Sequence, residues 1–475
     1  MEKATRIPTS LIIFGATGDL SEKKLLPAIF DLYLKNLTPP KLKILGLSRR
    51  ELTDEEFKNF TKEAIRVKRP GAKEEDLTEF LRTLSYLSGY FDQTKSYSAV
   101  GEKFLKFDEE FGECSNKLFY LAVPPAHYEK IFKKLAKTGL TIPCAGEGGW
   151  TRILVEKPFG NDLKNASKLE KILGRLFDET QIFRIDHYLA KETIQNILTF
   201  RFSNVLFEPI WNAQSIEKVE LKFLEKNDAS KRGEFYEEIG ALRDVGQNHL
   251  LQMLAAITIE NPESLSSSSL RNERTKILKA IKPIRGKDVD LYTARGQYQG
   301  FRKEKGVSPH SRVETYFLIK LFVENSRWKN VPFILESGKA LKESLAEIAV
   351  YFKKTKTCLC PPNSDEKHQN ILKFNIQPKE GITVKFWAKE PGFSFNLKPQ
   401  ILSFSYGHSK IKDKIPDAYE RILYDCIRGD QTLFASTEEV RASWEFITPI
   451  LESWHRSKLH TYKKGSAGPK VNLPI

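Results

Sequence analysis

The first half of the chain alternates short apolar runs with stretches of helical spacing. Leu11 to Phe14 is an apolar run of strand length ended by Gly15, and Leu20 to Leu34 carries apolar residues at helical intervals. Leu42 to Leu47 predicts a second strand, and Thr-Asp-Glu-Glu from Thr53 is a helix start. Leu118 to Val123 and Ile153 to Val155 predict further strands, each followed by a helical stretch. Strand–helix alternation of this kind implies a parallel sheet covered by helices on both faces.

The second half changes period. Val219 to Phe223, Phe317 to Val323, Ile382 to Trp387 and Ile401 to Tyr406 alternate apolar and polar residues. Such strands belong to sheets with one wet face, typically antiparallel. Helical segments are inserted around Leu242 to Ala256 and Ile415 to Ile427, and Ser264 to Ser269 predicts a surface loop. No internal repeat is present. The expected fold is an α/β Rossmann-type dinucleotide-binding domain over residues 1–184. A substrate-binding and oligomerisation α+β domain, built on a large mainly antiparallel sheet, is expected over 185–475.

Length agrees with two domains, since 475 residues exceed what one compact core accommodates. Hydrophobic residues at 40% and charged residues at 29% exclude a disordered, collagenous or coiled-coil chain. The five cysteines, Cys114, Cys144, Cys358, Cys360 and Cys426, are odd in number and scattered, which predicts reduced thiols in a cytoplasmic protein. No histidine or second pair accompanies Cys358 and Cys360 at finger spacing, so no metal site is expected. Leu250 to Ile257, among the longest apolar stretches, falls short of a membrane span.

Charge adds one constraint. Seventy-six basic against 61 acidic residues leave +15, which favours anionic partners. Arg271 to Gly306 holds eleven basic and four acidic residues, and His455 to Ile475 holds five basic and none acidic. Neither stretch contains a candidate catalytic group, so both read as a solvated face and tail. No nucleic-acid-binding signature accompanies them, and nucleic acid is not an expected partner.

The candidate chemistry lies elsewhere. Ile12 to Leu20 reads as strand, glycine turn and helix opening: Gly15 permits the turn, and Gly18 lets backbone approach a phosphate at the new helix. The second strand ends in Ser48-Arg49-Arg50, where an NAD enzyme places an acidic residue. Guanidiniums there suit a 2′-phosphate, so the reading is NADP. Glu156-Lys157-Pro158-Phe159-Gly160 follows a strand at the ligand-binding edge and offers the Lys157 cation, with proline favouring an unusual X-Pro geometry. In Arg184 to Glu192, His187, Tyr188 and Lys191 place three donors close enough to converge on one phosphate if a helix starts near Tyr188, with Asp186 facing away as an orienting carboxylate. In Arg243 to Leu254, His249 sits at the edge of a buried helix, as a satisfied core group or as a general base.

The segments GATGDL, EKPFG, RIDHYLAKE and RDVGQNHLLQ, in this order and spacing, resemble the glucose-6-phosphate dehydrogenase family. Val331 to Lys339, Phe374 to Gln377, Asp417 to Arg421 and Arg428 to Phe434 are similar too, so the likeness runs from about Leu11 to Trp454. The resemblance implies hydride transfer from C1 of glucose 6-phosphate to NADP, giving 6-phosphogluconolactone, the first step of the oxidative pentose phosphate pathway. It implies His249 as general base paired with Asp186, and His187, Tyr188 and Lys191 as the phosphate pocket. It assigns sugar contacts to Lys157, Glu225, Asp244, Lys339 and Gln377. It assigns cofactor contacts to Gly15, Thr17, Gly18, Asp19, Leu20, Arg49 and Tyr128, with Lys157 reaching the cofactor as well. A homodimer or homotetramer, formed through the carboxyl-terminal sheet, is implied. Three positions depart from the family pattern: Ser344 stands where a basic substrate contact is usual, Ala190 where glycine is usual, and Asn375 where a second, structural NADP site has a basic residue.

Overall fold

The computed structural model describes residues 7–143, 149–354, 368–407, 415–471 and 473. Its strands in chain order are β1 (Thr9–Phe14), β2 (Leu42–Ser48), β3 (Leu84–Ser88), β4 (Asn116–Leu121), β5 (Thr151–Val155), β6 (Ile182–Ile185), β7 (Ile216–Leu224) and β8 (Thr293–Tyr298). They continue as β9 (Tyr316–Leu321), β10 (Phe333–Gly338), β11 (Leu345–Phe352), β12 (Ile371–Gln377), β13 (Gly381–Lys389), β14 (Leu397–Ser405), β15 (Phe434–Ala435) and β16 (Leu459–Tyr462).

Seven strands form the first sheet in the order β15-β6-β5-β4-β1-β2-β3. β1 to β6 run parallel, and every residue of β1 and β4 is buried, as helices on both faces require. The order reverses between β1 and β4, which opens a crevice at the carboxyl edge of those strands. The helix predicted at Thr53 spans Asp54–Lys68 and starts with a capping box between Thr53 and Glu56. β15, from the far end of the chain, closes the sheet antiparallel to β6.

The second sheet has the order β14-β13-β12-β11-β7-β10-β9-β8-β16. Its pairs are antiparallel except β7 with β10 and β8 with β16. The two halves of the chain are tied together by hydrogen bonds. Trp444, on the helix Thr437–Trp454, donates its indole N–H to the Phe159 carbonyl at 2.7 Å and so ties the EKPFG turn to the carboxyl-terminal half.

Four sequence expectations need correction. The basic stretch from Arg271 is a solvated face only in part: eight of its eleven basic residues are exposed, but three guanidiniums are buried. Arg271 is buried against Glu179 and Gln431, Arg274 against Glu439 at 2.7 Å and the carbonyls of Thr432 and Phe434, and Arg295 against the carbonyls of Arg312 and Ser457. These guanidiniums satisfy carboxylates and carbonyls between elements, which a charge count along one segment cannot reveal. The tail's five basic side chains are exposed, as expected, but its backbone is not free: β16 pairs with β8, and Tyr462 is buried with its hydroxyl 2.8 Å from the Lys339 carbonyl. The serine-rich loop is cut short by a helix over Ser267–Lys279, because the Ser266 hydroxyl caps it through the Ser269 amide. Finally, Cys114 is disulfide-bonded, whereas Cys426 is a buried free thiol. Cys144, Cys358 and Cys360 lie outside the described residues.

Candidate active site

The glycine turn after β1 is forced by its surroundings. Gly15 has φ +83°, and a Cβ there would lie 2.4 Å from the Ala122 carbonyl oxygen at the end of β4. The chain therefore passes β4 at backbone contact and turns at once into a helix, where its amides face the crevice. Thr17 is buried and shares a hydrogen bond of 2.8 Å with Ser48, which meets the Tyr86 hydroxyl at 2.7 Å. This hydroxyl chain pins the end of β2, from which Arg49 projects exposed with no ion pair among the described residues. A cavity of about 380 Å³ lies here, lined among others by Gly15, Gly18, Arg49, Phe91, His127 and Lys130.

Gly15, Thr17, Gly18 and Arg49 thus face the cleft as expected, while Asp19 pairs with Lys23 at 3.1 Å on the helix below and Leu20 packs against the core. Tyr128 stands apart. It is buried, and its hydroxyl donates to the Glu156 carbonyl at 2.7 Å, so it braces the turn carrying Lys157 instead of lining the cavity. Phe91 and His127, whose rings meet edge to face at 5.4 Å, are cleft residues that sequence reasoning missed. Phe91 follows β3, a strand the apolar pattern did not mark, and His127 sits on the turn after β4. The cradle at Gly15, the unpaired Arg49 and the lack of a carboxylate at the end of β2 suit a phosphorylated dinucleotide.

The second cluster forms where β5, β6 and the helical segment after Gly240 meet. Lys157, the residue after Glu156 at the end of β5, donates to the Asp244 carbonyl at 2.6 Å and to its carboxylate at 3.1 Å. The bonds Lys157–Pro158 and Gln377–Pro378 are both cis. Gly240, at φ +72°, lets the backbone pass the buried Glu314, whose Oε1 accepts the Leu242 amide at 3.0 Å and caps the segment that follows.

That segment, Leu242–Leu250, is π-helical: the Leu251 amide reaches back to the Gly246 carbonyl five residues earlier. On an α-helix Asp244 and His249 would point about 140° apart. With i→i+5 bonds they share one face, and both enter the cluster.

His249 Nδ1 lies 2.5 Å from Asp186 Oδ1, and both side chains are buried. Burial holds the His249 imidazole below its ordinary value, against the pull of the Asp186 carboxylate. Burial alone would raise Asp186, but the His249 and His187 rings and the Tyr188 amide outweigh it and set it at about 2. With the carboxylate ionised, the shared proton sits on Nδ1 and Nε2 is left as a proton acceptor. Donor atoms of Asp186, His187 and His249 all lie within 4.8 Å of one another.

The expected phosphate donors surround this pair. The His187 ring lies 4.8 Å from Tyr188 and 5.0 Å from His249. Burial, then His249, Lys157 and Lys191, lower its pKa to about 3, despite the upward pull of Asp186. The helix here starts at Glu192 rather than near Tyr188, and Lys191 stands just before it, 3.4 Å from Glu380. Tyr188 meets Gln377 at 3.1 Å, and Lys339 meets Glu225 at 2.6 Å. Asp244 feels both Lys157 and Lys339, which overcome burial and hold it at about 2. The sequence-predicted substrate residues therefore gather near the Asp186–His249 pair as Lys157–Asp244, Lys339–Glu225, Tyr188–Gln377 and Lys191–Glu380, with His187 held by ring contacts. Glu380 is an addition that no motif signals. Ser344 is spoken for, its hydroxyl accepting the Lys226 amide at 3.0 Å beside Glu225.

The family model described as "Glucose-6-phosphate dehydrogenase, NAD binding domain" matches residues 12–196, and "Glucose-6-phosphate dehydrogenase, C-terminal domain" matches residues 198–473. Glucose-6-phosphate 1-dehydrogenase of Chlamydia muridarum is 39% identical over 98% of this chain and 94% of its own. The Arabidopsis thaliana protein named "Glucose-6-phosphate 1-dehydrogenase 6, cytoplasmic" is 38% identical over 97% and 89%. A solved glucose-6-phosphate dehydrogenase in complex with its substrate glucose-6-phosphate superposes with a TM-score of 0.89 at 34% identity, covering 99% of this chain and 97% of that one. Matched from end to end in sequence and in fold, the chain belongs to the glucose-6-phosphate dehydrogenase family.

Proposed function

We propose that the Asp186–His249 pair carries the chemistry of this enzyme, and that the lysine-rich network around it selects the substrate. The chain oxidises glucose 6-phosphate at C1 to 6-phosphogluconolactone, with NADP as hydride acceptor, the first step of the oxidative pentose phosphate pathway. His187, Tyr188 and Lys191 receive the phosphate. Lys157, Glu225, Asp244, Lys339 and Gln377 meet the sugar hydroxyls by exchanging the bonds they now make with one another for bonds to substrate. A sugar lacking a hydroxyl or the phosphate leaves those buried groups unpaired, and this is the source of selectivity.

His249 takes the C1 hydroxyl proton on Nε2 as the hydride leaves C1, and Asp186 stabilises the imidazolium that forms. NADP, when bound, supplies the hydride-accepting nicotinamide; Gly15, Thr17, Gly18 and Arg49 hold its phosphates, with Asp19 and Leu20 opening the helix at that turn. The observation that carries this reading is the buried 2.5 Å contact between His249 and Asp186, at the centre of paired lysines and carboxylates.

Arg49 gives the first test. Arg49→Ala is expected to raise KM for NADP by about 10- to 100-fold, the loss of a charge-assisted phosphate contact, with KM for NAD changed less than about threefold. Equal losses for both cofactors would remove Arg49 from the 2′-phosphate.

The two units divide near Arg184, on this reading. A homodimer or homotetramer is supported by the outer strand of the second sheet. Ile401, Leu402 and Phe404 of β14 are 67%, 62% and 45% exposed, on both faces of the strand, an apolar edge suited to a second copy. Sedimentation should give a species of at least twice the chain mass. The protein is read as cytoplasmic, like the Arabidopsis relatives so named, and no described helix is long and apolar enough to cross a membrane.

A further inference from the structure

Phe223 touches the reacting histidine but carries no polar atom, and the reaction above gives it no role. It stands on β7, the central strand of the second sheet. Along β7, Val219 and Leu221 are fully buried on one face, while Lys218 and Lys222 both pair with Glu220 on the other. The same alternation keeps Phe223 on the buried face, at the end where the strand leaves the core and enters the site. Two residues on, Glu225 meets Lys339 at 2.6 Å. The register neighbours of Phe223 are small: Ser337 on β10 and Ala346 on β11 lie directly opposite it, both buried. Neither side chain is long enough to compete for the space above the sheet, so the phenyl ring reaches past them to the segment that carries His249.

Among the described residues, three rings meet the His249 imidazole. Tyr188 lies at 4.3 Å and 43°, His187 at 5.0 Å and 81°, and Phe223 at 6.0 Å and 20°, nearly parallel. Phe223 also meets Tyr188 edge to face, at 5.1 Å and 62°. Both Phe223 separations fall in the range of favourable aromatic contact, roughly 4.5–7 Å. The bond to Asp186 fixes one atom of the imidazole, Nδ1. Nε2, which accepts the proton, lies across the ring, and one bond leaves the ring plane to be set by packing. His187 and Tyr188 belong to the phosphate pocket and turn toward substrate. Phe223 is held by the middle strand of a nine-stranded sheet.

We propose that Phe223 is a positioning residue for the general base: its ring face fixes the plane of the His249 imidazole and so aims Nε2 at the C1 hydroxyl. The proposal rests on the reading of His249 as that base. The edge contact with Tyr188 gives the same ring a lesser hold on the phosphate subsite. Without the planar face the imidazole turns about its bond to Asp186. The cost then falls first on turnover, second on glucose 6-phosphate, and not on the cofactor.

Phe223→Leu keeps an apolar group and removes the planar face. It is expected to lower kcat about tenfold and to raise KM for glucose 6-phosphate about threefold, the scale of one aromatic pair each, with KM for NADP within about twofold. Phe223→Met, which is flexible and ringless, should behave alike and serves where the leucine variant does not fold. Phe223→Tyr restores the ring and should bring kcat to within about threefold of the native value. In a His249→Asn background, Phe223→Leu should lower kcat by no more than about twofold further. Unchanged kcat in the ringless variants, a tyrosine variant as slow as they are, or full additivity with His249→Asn would each overturn the proposal. His249→Asn measured alone separates the two levels: near-normal turnover there would overturn the base reading itself.

Discussion

His249→Asn is expected to lower kcat about 10²-fold or more while leaving KM for glucose 6-phosphate within about threefold. Asparagine fills a similar space at the edge of the π-helical turn but offers no nitrogen that accepts a proton. The substrate groups, Lys157, Lys191, Lys339 and their carboxylate partners, are untouched. The loss therefore falls on the step in which the C1 hydroxyl proton departs.

The same assignment fixes the acid limb of the pH profile. His249 works only when neutral, and burial holds it below its ordinary value of 6.5. Activity should rise with pH through a limb centred below 6.5, and His249→Asn should flatten that limb. A variant with near-normal turnover, or with the limb intact, would remove His249 from the reaction.

Asp186→Asn is expected to cost about 10²- to 10⁴-fold in kcat, by analogy with other carboxylate-oriented histidine bases. In the native pair Nδ1–H faces a carboxylate at 2.5 Å, and the Tyr188 amide donates to the same oxygen at 3.0 Å. An asparagine with its oxygen in that place keeps both bonds, its NH₂ standing where the second carboxylate oxygen is buried without a partner. It brings no charge, however, to stabilise the imidazolium that forms when His249 takes the proton. Geometry survives and chemistry does not. Thermal denaturation should accordingly shift by no more than about 3 °C, since a hydrogen bond is kept and a buried charge removed. A large fall in the midpoint together with lost activity would point to a structural role instead.

Local chemistry explains what was legible in the sequence. Gly15 is readable because a tight strand-to-helix turn next to another backbone admits little else. Arg49 is readable because strand ends in this architecture have a known relation to the cofactor. The carboxyl-terminal strands are readable by alternation, although β14 is exposed on both faces.

What escaped has equally physical causes. The expectation of a regular helix from Leu242 cannot foresee a π-helical turn, yet that turn alone puts Asp244 and His249 on one face. Arg271 and Arg274 look solvated in a segment with few acids, because Glu179 and Glu439 reach them only through the tertiary fold. Glu380 lies about 190 positions from the Lys191 it pairs with, beyond the reach of any local pattern. The pairing of the tail, which braces the Lys339 carbonyl through Tyr462, escapes for the same reason.

The most direct measurement is the initial rate of NADP reduction by the purified protein with glucose 6-phosphate and with free glucose. A pocket that brings an imidazole, a phenol and an ammonium to the phosphate should favour the phosphorylated sugar by about 10⁴-fold in kcat/KM. Rates within a few-fold of one another would contradict the assignment of His187, Tyr188 and Lys191 to the phosphate, and with it the account of how this site chooses its substrate.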